Sequence, residues 1–313
     1  MSVTLRTATP ADEPALAALW GECFVAPHLA ALYALDPDRH HRTFVAEQDG
    51  RIDAVVVYVP RQLRDAHGEP QRVGGLGSVA TRPEARGQGL IRRLLVEAER
   101  TMTAELCAWS LLFTGTPGVY RGSGWQEFPS PVTEGAIARG GPPAGGRLRI
   151  RSATPDDGPA VAALQAAYNA HRPLSSVRTA EEWAVRIPAW YGPLDRTLVA
   201  EDPESHGIVS TLVTHHGEQV LEVRECAIDP RAPQALGVLL AAAAARGHDT
   251  GLTRARVRLP DTAEVRAALP RLLTDAVVGE EHVGMARPLL SDPAAVRATV
   301  TAPGAVHWYG DSF

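Results

Sequence analysis

Lysine does not occur in this sequence of 313 residues, so all 31 basic side chains are arginine. Because alanine is also abundant, this absence points to codon usage and says little about function. Acidic residues outnumber basic ones by 36 to 31, which gives a formal net charge of −5. A nucleic-acid-binding surface requires clustered positive charge, so we expect no nucleic-acid partner. The acidic balance is compatible with attraction of cationic substrates.

Cysteine is nearly absent as well. Cys23, Cys107 and Cys226 lie far apart and show no metal-ligand spacing, which predicts reduced thiols in a cytoplasmic protein. The adjacent histidine pairs His40-His41 and His215-His216 cannot point the same way on a strand or helix. We therefore expect no metal site.

Long apolar runs are also missing. No segment approaches the ~18 uninterrupted apolar residues of a membrane span, and the first residues, MSVTLRTATPADE, contain no apolar core of a signal peptide. A G-x-S-x-G motif, typical of serine hydrolases, does not occur. With 45% hydrophobic and 21% charged residues, the composition predicts a soluble, cytoplasmic protein with no membrane partner and about two domains.

An internal repeat divides the chain. Residues 6–19 (RTATPADEPALAAL) and 151–164 (RSATPDDGPAVAAL) are identical at ten of fourteen positions, at an offset of 145. Each copy predicts a short strand, a Thr-Pro cap, acidic residues in the first turn and an amphipathic helix. The repeat continues where Phe44–Glu47 matches Leu198–Glu201, and each of these predicted strands is followed by a turn and another strand.

The repeat predicts two copies of one α/β unit with a mixed sheet. Residues 139–147, rich in glycine and proline, separate the copies and read as a linker. The predicted organisation is therefore a first domain at 1–138, a second at 148–290 and a C-terminal tail at 291–313. The tail ends in HWYGDSF, which is too aromatic for a plain disordered end, so we expect it to dock onto the protein.

The segment Val73–Arg100 carries the strongest functional signal. An apolar, glycine-spaced strand is followed by the loop Arg86-Gly87-Gln88-Gly89 and by a helix with a 3.6-residue apolar stripe. The first backbone N–H groups of a helix have no intrahelical partner and lie at the positive end of its dipole. Glycines there let a pyrophosphate approach those donors. A dinucleotide fold is the competing interpretation, but its G-x-G-x-x-G near the chain start is missing.

The run Arg86–Ile91 resembles the acyl-CoA pyrophosphate loop of the GNAT acetyltransferases, Q/R-x-x-G-x-G/A. Ile91 replaces the last small residue, and the ending R-G-x-G-L-I-R is similar to the variant in Eis-type (enhanced intracellular survival) acetyltransferases. The resemblance implies tandem GNAT-like domains, acetyl-CoA as co-substrate and direct transfer of the acetyl group to a primary amine. It also implies the following acetyl-CoA contacts: Val79, Ala80, Thr81, Arg86, Gly87, Gln88, Gly89, Leu90, Ile91 and Arg92.

The second copy lacks this loop. At an ungapped offset of 147, Arg86 corresponds to Pro233, Gly87 to Gln234 and Gly89 to Leu236. Proline has no N–H, and a leucine side chain would crowd the backbone donors. We therefore expect the first domain to bind the cofactor and the second to be a degenerate partner.

Tyr120 is the leading catalytic candidate. The segment Y-x-x-x-G-W, from Tyr120 to Trp125, is similar to the GNAT ending in which a tyrosine protonates the leaving thiolate. A phenol with a pKa of ~10 is a reasonable acid for a thiolate of ~8.5. The alternative is a packing tyrosine whose hydroxyl bonds the backbone.

The C-terminal tail contains the candidates for the general base. In Eis-type enzymes the C-terminal carboxylate reaches the active site of the first domain, so the resemblance implies this role for the Phe313 carboxylate. Burial among aromatic side chains would raise its pKa toward a useful value. Asp311 competes for the same role and is also a candidate substrate contact. The alternative is a tail that only holds the domains together.

The first helices are expected to contribute to the substrate pocket, because aromatic and acidic side chains suit a cationic amine. The substrate-binding candidates are Trp20, Phe24 and Asp36, alongside Asp311. An ordinary helix face explains the first three equally well. The Eis-type resemblance implies a polyamine-like or aminoglycoside acceptor and makes a homo-oligomer plausible. The alternatives are a mycothiol-synthase-like acetyltransferase, or a non-catalytic acyl-CoA-binding sensor or scaffold.

Overall fold

The structure, a computed structural model, describes residues 3–25, 28–139, 147–192 and 194–313. Within these ranges the chain forms twelve strands and nine α-helices, so the predicted mixed α/β class is confirmed. Residues 140–146 of the predicted linker lie outside the described residues.

The strands are β1 (Val3–Thr7), β2 (Thr43–Gln48), β3 (Arg51–Arg64), β4 (Pro70–Thr81), β5 (Trp109–Phe113), β6 (Gln126–Ile137), β7 (Arg149–Ser152), β8 (Thr197–Asp202), β9 (Gly207–His216), β10 (Val220–Ile228), β11 (Arg254–Val257) and β12 (Leu273–Pro288). The helices are α1 (Glu13–Cys23), α2 (Leu29–Ala34), α3 (Leu90–Ala104), α4 (Gly118–Arg121), α5 (Gly158–Tyr168), α6 (Ile187–Tyr191), α7 (Ala235–Asp249), α8 (Ala263–Ala268) and α9 (Pro293–Val300). A π-helical turn, Glu182–Arg186, leads into α6.

All twelve strands form one sheet in the order β1-β2-β3-β4-β5-β12-β6-β11-β10-β9-β8-β7. Neighbouring strands are antiparallel except for the pairs β4–β5 and β10–β11, which are parallel. The two halves of the sheet therefore mirror each other in order and direction. This arrangement is what two tandem copies of one α/β unit require.

The halves exchange their last strands. β12, which ends the second copy, pairs with β5 of the first copy, and β6 of the first copy pairs with β11 of the second. β6 and β12 also pair with each other in the middle of the sheet. The chain-order division at residue 138 is consequently not a division of the sheet.

In the first copy, β2 and most of β3 are buried on both faces. Phe44 and Val56 belong to the core under α3, whereas Val45 and Val55 belong to the core under α1. Because successive side chains on a strand point to opposite faces, the near-continuous apolar runs of β2 and β3 allow helices on both sides.

The predicted cap before α1 and α5 is confirmed in both copies. Thr9 and Asp12 form a capping box, and Thr154 and Asp157 form the same arrangement 145 residues later. Arg6 donates to Asp12 at 2.7 Å, as Arg151 donates to Asp157 at 2.6 Å. The short helical turns Pro10–Asp12 and Pro155–Asp157 lie between each cap threonine and its α-helix.

Candidate active site

The parallel strands β4 and β5 separate partway along their length. They pair only between Val73–Leu76 and Trp109–Leu112, although β4 continues to Thr81. A bulge on β4 places Ser78 in the left-handed region, at a φ of 51°. The indole N–H of Trp20 donates to the Ser78 carbonyl at 3.0 Å and holds this bulge. Beyond Leu76, backbone groups of β4 that do not pair with β5 face the cleft between the strands.

The glycine loop lies at the end of this cleft. Gly87 and Gly89 have φ values of 78° and 71°, a region that L-residues other than glycine rarely adopt. No atom lies within 4 Å of the place where a Cβ would stand on either glycine. α3 begins at Leu90, directly after Gly89, so its first N–H groups, which have no intrahelical partner, lie directly after this open loop. This geometry suits a pyrophosphate.

The second half has a different loop at the equivalent place. α3 and α7 are both 15 residues long, and their starts are related by an offset of 145, not 147. The sequence comparison was wrong by two residues here: Gly87 corresponds to Ala232, Gln88 to Pro233 and Gly89 to Gln234. Gln234 has a φ of −70°, so the left-handed turn of the first loop is not repeated. The two loops therefore differ in conformation, whereas the loss of cofactor binding by the second copy remains a prediction.

Tyr120 lies on α4 and packs into the core under α3. Burial raises the pKa of its hydroxyl to about 12, so the phenol keeps its proton throughout the physiological range.

The C-terminal residue reaches the splayed part of β4. An oxygen of the Phe313 carboxyl group lies 2.6 Å from the position of a Cβ on Gly77, and the ring atom Cδ1 of Phe313 lies 2.1 Å from that on Gly75. Both distances are shorter than real Cβ contacts, so this docking requires glycine at both positions. The Phe313 ring stacks on Phe113, at the end of β5, with centroids 6.5 Å apart. The end of the tail therefore contacts β4 and β5, whereas a catalytic role of the terminus remains a prediction.

Side chains of the second copy hold this tail in place. Arg178 donates to Asp311 at 2.7 Å and to both oxygens of Glu225 at 2.8 and 2.6 Å. The Tyr191 hydroxyl donates to Glu225 at 2.5 Å and accepts from the Gly310 N–H at 2.8 Å. All of these side chains are buried, so the network fixes the last turn of the chain before its terminus.

The Asp311 carboxylate is therefore already paired with the Arg178 guanidinium group. Burial alone would raise the pKa of its carboxyl, but attraction and a hydrogen bond to Arg178 outweigh burial and bring the pKa below its ordinary value. A carboxylate with a lowered pKa is a weak base, and at 1% exposure it offers little surface to a substrate. This geometry favours an anchoring role for Asp311 over the two roles expected from the sequence.

The other substrate candidates lie at α1 and α2. Trp20 and Phe24 line a cavity of about 310 Å³ between these helices. Asp36 lies apart from that cavity and accepts from Arg42 at 3.0 and 3.1 Å, so its charge is already compensated. The structure thus brings two of the three together.

Sequence inspection missed the residues that receive the tail. Gly75 and Gly77 alternate on β4 and therefore point to the same face, which was a readable sign of close approach by another segment. Arg178, Glu225 and Tyr191 gave no such sign, since they are distant in sequence from each other and from the tail. Among the described residues, no helix is long and apolar enough to cross a membrane, and no group of three or more His, Cys, Asp or Glu side chains could hold a metal ion.

Comparison with known proteins agrees with this geometry. The family described as "Acetyltransferase (GNAT) domain" matches residues 4–128. A probable N-acyltransferase from Enterococcus faecalis has a similar structure, with a TM-score of 0.72 and 15% identity over 93% of this chain and 73% of that one. Eis1 from Mycobacterium abscessus follows with a TM-score of 0.61 and 15% identity, over 92% of this chain and 74% of that one. No curated protein sequence matches the chain.

The first part of the chain, residues 4–128, is thus a GNAT acetyltransferase domain. The fold of the whole chain is similar to the folds of these two solved structures.

Proposed function

We propose that this protein is an N-acetyltransferase that moves the acetyl group of acetyl-CoA directly to a primary amine of a small molecule. The observation that carries the proposal is the open, glycine-bearing loop before α3, at the end of the cleft where β4 and β5 separate. The position of Phe313 beside Gly77 of β4 supports the choice of its carboxyl group as the base.

The first domain, residues 1–138, holds acetyl-CoA in this proposal. The N–H groups at the start of α3 bind the pyrophosphate, with Arg86 and Arg92 supplying positive charge nearby. Val79, Ala80 and Thr81 offer the backbone groups of β4 to the pantetheine arm. Gly87, Gln88, Gly89, Leu90 and Ile91 form the loop and the first helical turn. The empty space over both glycines supports this assignment.

Acetyl-CoA supplies a thioester, whose C–S bond breaks as the new C–N bond forms. The Phe313 carboxylate acts as the general base and takes one proton from the acceptor's ammonium group, so that the amine attacks with a free electron pair. Unpaired N–H groups of β4 donate to the developing oxyanion. The Tyr120 hydroxyl then donates its proton to the leaving sulfur as the tetrahedral intermediate collapses. The second proton of the amine nitrogen returns to the Tyr120 oxygen, so that the products are the amide, the CoA thiol and the proton held by the Phe313 carboxyl group.

The second domain, residues 148–290, positions the tail at 291–313 in this reading. Its network around Arg178 and Glu225 orients the terminus without touching the reacting atoms. The mycothiol-synthase-like alternative would use a cofactor loop in the second copy, and Pro233 and Gln234 at that loop do not favour it. Polyamines and aminoglycosides, the acceptors implied by the Eis-type resemblance, belong in the first panel of amines.

The test is thiol release from acetyl-CoA in the presence of a panel of small amines, with calorimetric binding of acetyl-CoA measured in parallel. Turnover on any amine supports the proposal, provided that it falls sharply in Tyr120→Phe. If acetyl-CoA binds and no amine is acetylated, the non-catalytic sensor is the better reading. If acetyl-CoA does not bind, the assignment of the glycine loop is wrong.

A further inference from the structure

A cavity of about 420 Å³ lies beside the C-terminal residue, between the two copies. Its walls include Phe113 of β5, Val283 of β12, Leu259 after β11, and the tail residues His307 and Ser312. His307 stacks on Phe113 with centroids 4.9 Å apart and lies 5.4 Å from the Phe313 ring. The cavity therefore borders the ring cluster of Phe113, His307 and Phe313, whose last member carries the base in the proposed function.

The apolar part of the wall is large. Leu259, Val283 and Val306 contribute aliphatic surface, and Trp308 and Tyr309 contribute aromatic surface. Burial lowers the pKa of His307 to about 4, so its ring is neutral at physiological pH and adds no charge. A pocket of this size with predominantly apolar walls is typical of small-molecule sites.

Charged side chains also line the cavity, but they neutralise one another. Arg258 binds both oxygens of Glu281 at 2.9 Å and reaches Glu222 at 3.2 Å. Arg224 binds Glu222 at 2.7 Å and lies over the Tyr309 ring, 4.1 Å from its centroid. Two carboxylates face two guanidinium groups, and neither carboxylate lacks a cation.

This balance matters for the choice of acceptor. A polyamine or an aminoglycoside carries several ammonium groups, and each one that leaves water without a free carboxylate costs free energy. An apolar body leaves water at a gain instead. The cavity thus favours amines whose unreactive part is apolar over amines whose unreactive part carries further ammonium groups.

Resting on the proposed acetyl transfer, we propose that this cavity binds the apolar body of a monoamine acceptor, an aryl-alkyl or alkyl primary amine. The single amino group points toward the terminal carboxylate, and the hydrocarbon part lies against Phe113, Leu259 and Val306. Polycationic amines are poor acceptors because the cavity offers them no uncompensated carboxylate.

The first experiment compares kcat/KM for 2-phenylethylamine and n-heptylamine with kcat/KM for spermidine and kanamycin, all with acetyl-CoA. We expect an advantage of at least about tenfold for the two apolar amines, the scale of discrimination that hydrophobic pockets achieve. An equal or greater kcat/KM for spermidine or kanamycin overturns the inference and leaves the acetyltransferase function intact.

A matched pair of variants locates the effect. Val283→Trp fills the cavity from β12, whereas Val277→Trp places the same side chain on the same strand at a position that is 69% exposed and does not line the cavity. We expect Val283→Trp to lower kcat/KM for 2-phenylethylamine at least about tenfold without changing acetyl-CoA binding. Val277→Trp should behave as the unsubstituted protein does. Equal behaviour of the two variants overturns the inference.

Direct binding separates this inference from the proposed function. Calorimetry with 2-phenylethylamine, in the presence of CoA, reports occupancy of the cavity without turnover. Binding that is lost in Val283→Trp supports the cavity assignment even if no amine is acetylated, which would refute only the acetyltransferase function. Absence of binding by the unsubstituted protein overturns the inference.

Discussion

An oxygen of the Phe313 carboxyl group lies 2.6 Å from the point where a Cβ would stand on Gly77. The last residue of the chain and a strand residue 236 positions earlier thus occupy space that only a glycine leaves free. Arg178, Glu225 and Tyr191, all from the second copy, hold the residues just before the terminus. One copy therefore supplies the strand, and the other places the terminus on it.

Moving the terminal carboxylate should abolish turnover. Appending one glycine after Phe313 shifts the carboxylate by about 3.8 Å. At the shifted position the carboxylate no longer reaches the ammonium proton that it accepts in the proposed reaction. We expect a loss of about 10²–10⁴-fold in kcat, the usual contribution of a general base, with acetyl-CoA binding unchanged in calorimetry. Phe313→Ala keeps a carboxylate at the chain end and should lose less. Equal activity of the extended and unsubstituted proteins would show that the terminal carboxylate is not the general base.

A methyl group on Gly77 should displace the terminus from β4. Gly77→Ala places a Cβ against the Phe313 carbonyl group, and we expect kcat to fall while the KM for acetyl-CoA stays nearly constant. Gly279→Ala is the matched control, because its nearest neighbour is a Val132 methyl at an ordinary 3.8 Å. Steady-state kinetics on both variants checks this expectation. A normal kcat in Gly77→Ala would show that the terminus does not need this position.

An alanine at Gly89 should weaken acetyl-CoA binding. Gly89 has a φ of 71°, and an L-residue in that conformation costs about 1–2 kcal/mol. The substituted loop either keeps this conformation at that cost in free energy or changes shape. We therefore expect the Kd for acetyl-CoA to rise by about tenfold. Gly21→Ala, in α1 with no atom within 4 Å of its Cβ position, should leave the Kd unchanged. Calorimetric titration of both variants measures the difference.

Loss of the Tyr120 hydroxyl should slow the reaction without preventing binding. We expect Tyr120→Phe to reduce kcat by about 10²–10⁴-fold, the range for a general acid. Since burial raises the Tyr120 pKa to about 12, the acid form persists through alkaline solution. The pH profile of kcat should show no decline assignable to this group below about pH 10. A descending limb near pH 8 that disappears in Tyr120→Phe would contradict the raised pKa.

Breaking the buried pair between Asp311 and Arg178 should destabilise the fold. Asp311→Asn leaves part of the Arg178 charge uncompensated, and we expect the free energy of unfolding to fall by about 3–5 kcal/mol. The Asp311 pKa is lowered on folding, so the pair contributes fully above the unfolded pKa of ~3.9 and is lost as the pH falls through the lower, folded pKa. Denaturant unfolding at neutral pH measures the difference. Asp261→Asn, at an exposed pair with Arg266, is the control.

Local signals in the sequence were sufficient for the secondary structure and for the loop. Each of these signals acts over a few residues. The Thr-Pro-x-Asp motif caps a helix, the apolar runs of β2 and β3 alternate between the faces of the sheet, and the glycines before α3 allow a positive φ. The same local signals occur in both copies and make the internal repeat visible in the sequence. In the fold, Arg6 and Arg151 bind the equivalent aspartates of the two copies.

The tertiary structure decided which segments meet. The exchange of β6 and β12 joins the two copies into one sheet, and no periodicity within either strand encodes its partner. Asp36 and Asp311 read as free carboxylates in the sequence, yet each faces an arginine in the fold, 6 and 133 positions away. The sequence by itself determined the elements and the glycine loop. The placement of the terminus and the charge of the cavity beside it depend on contacts between distant segments, which only the packed chain defines.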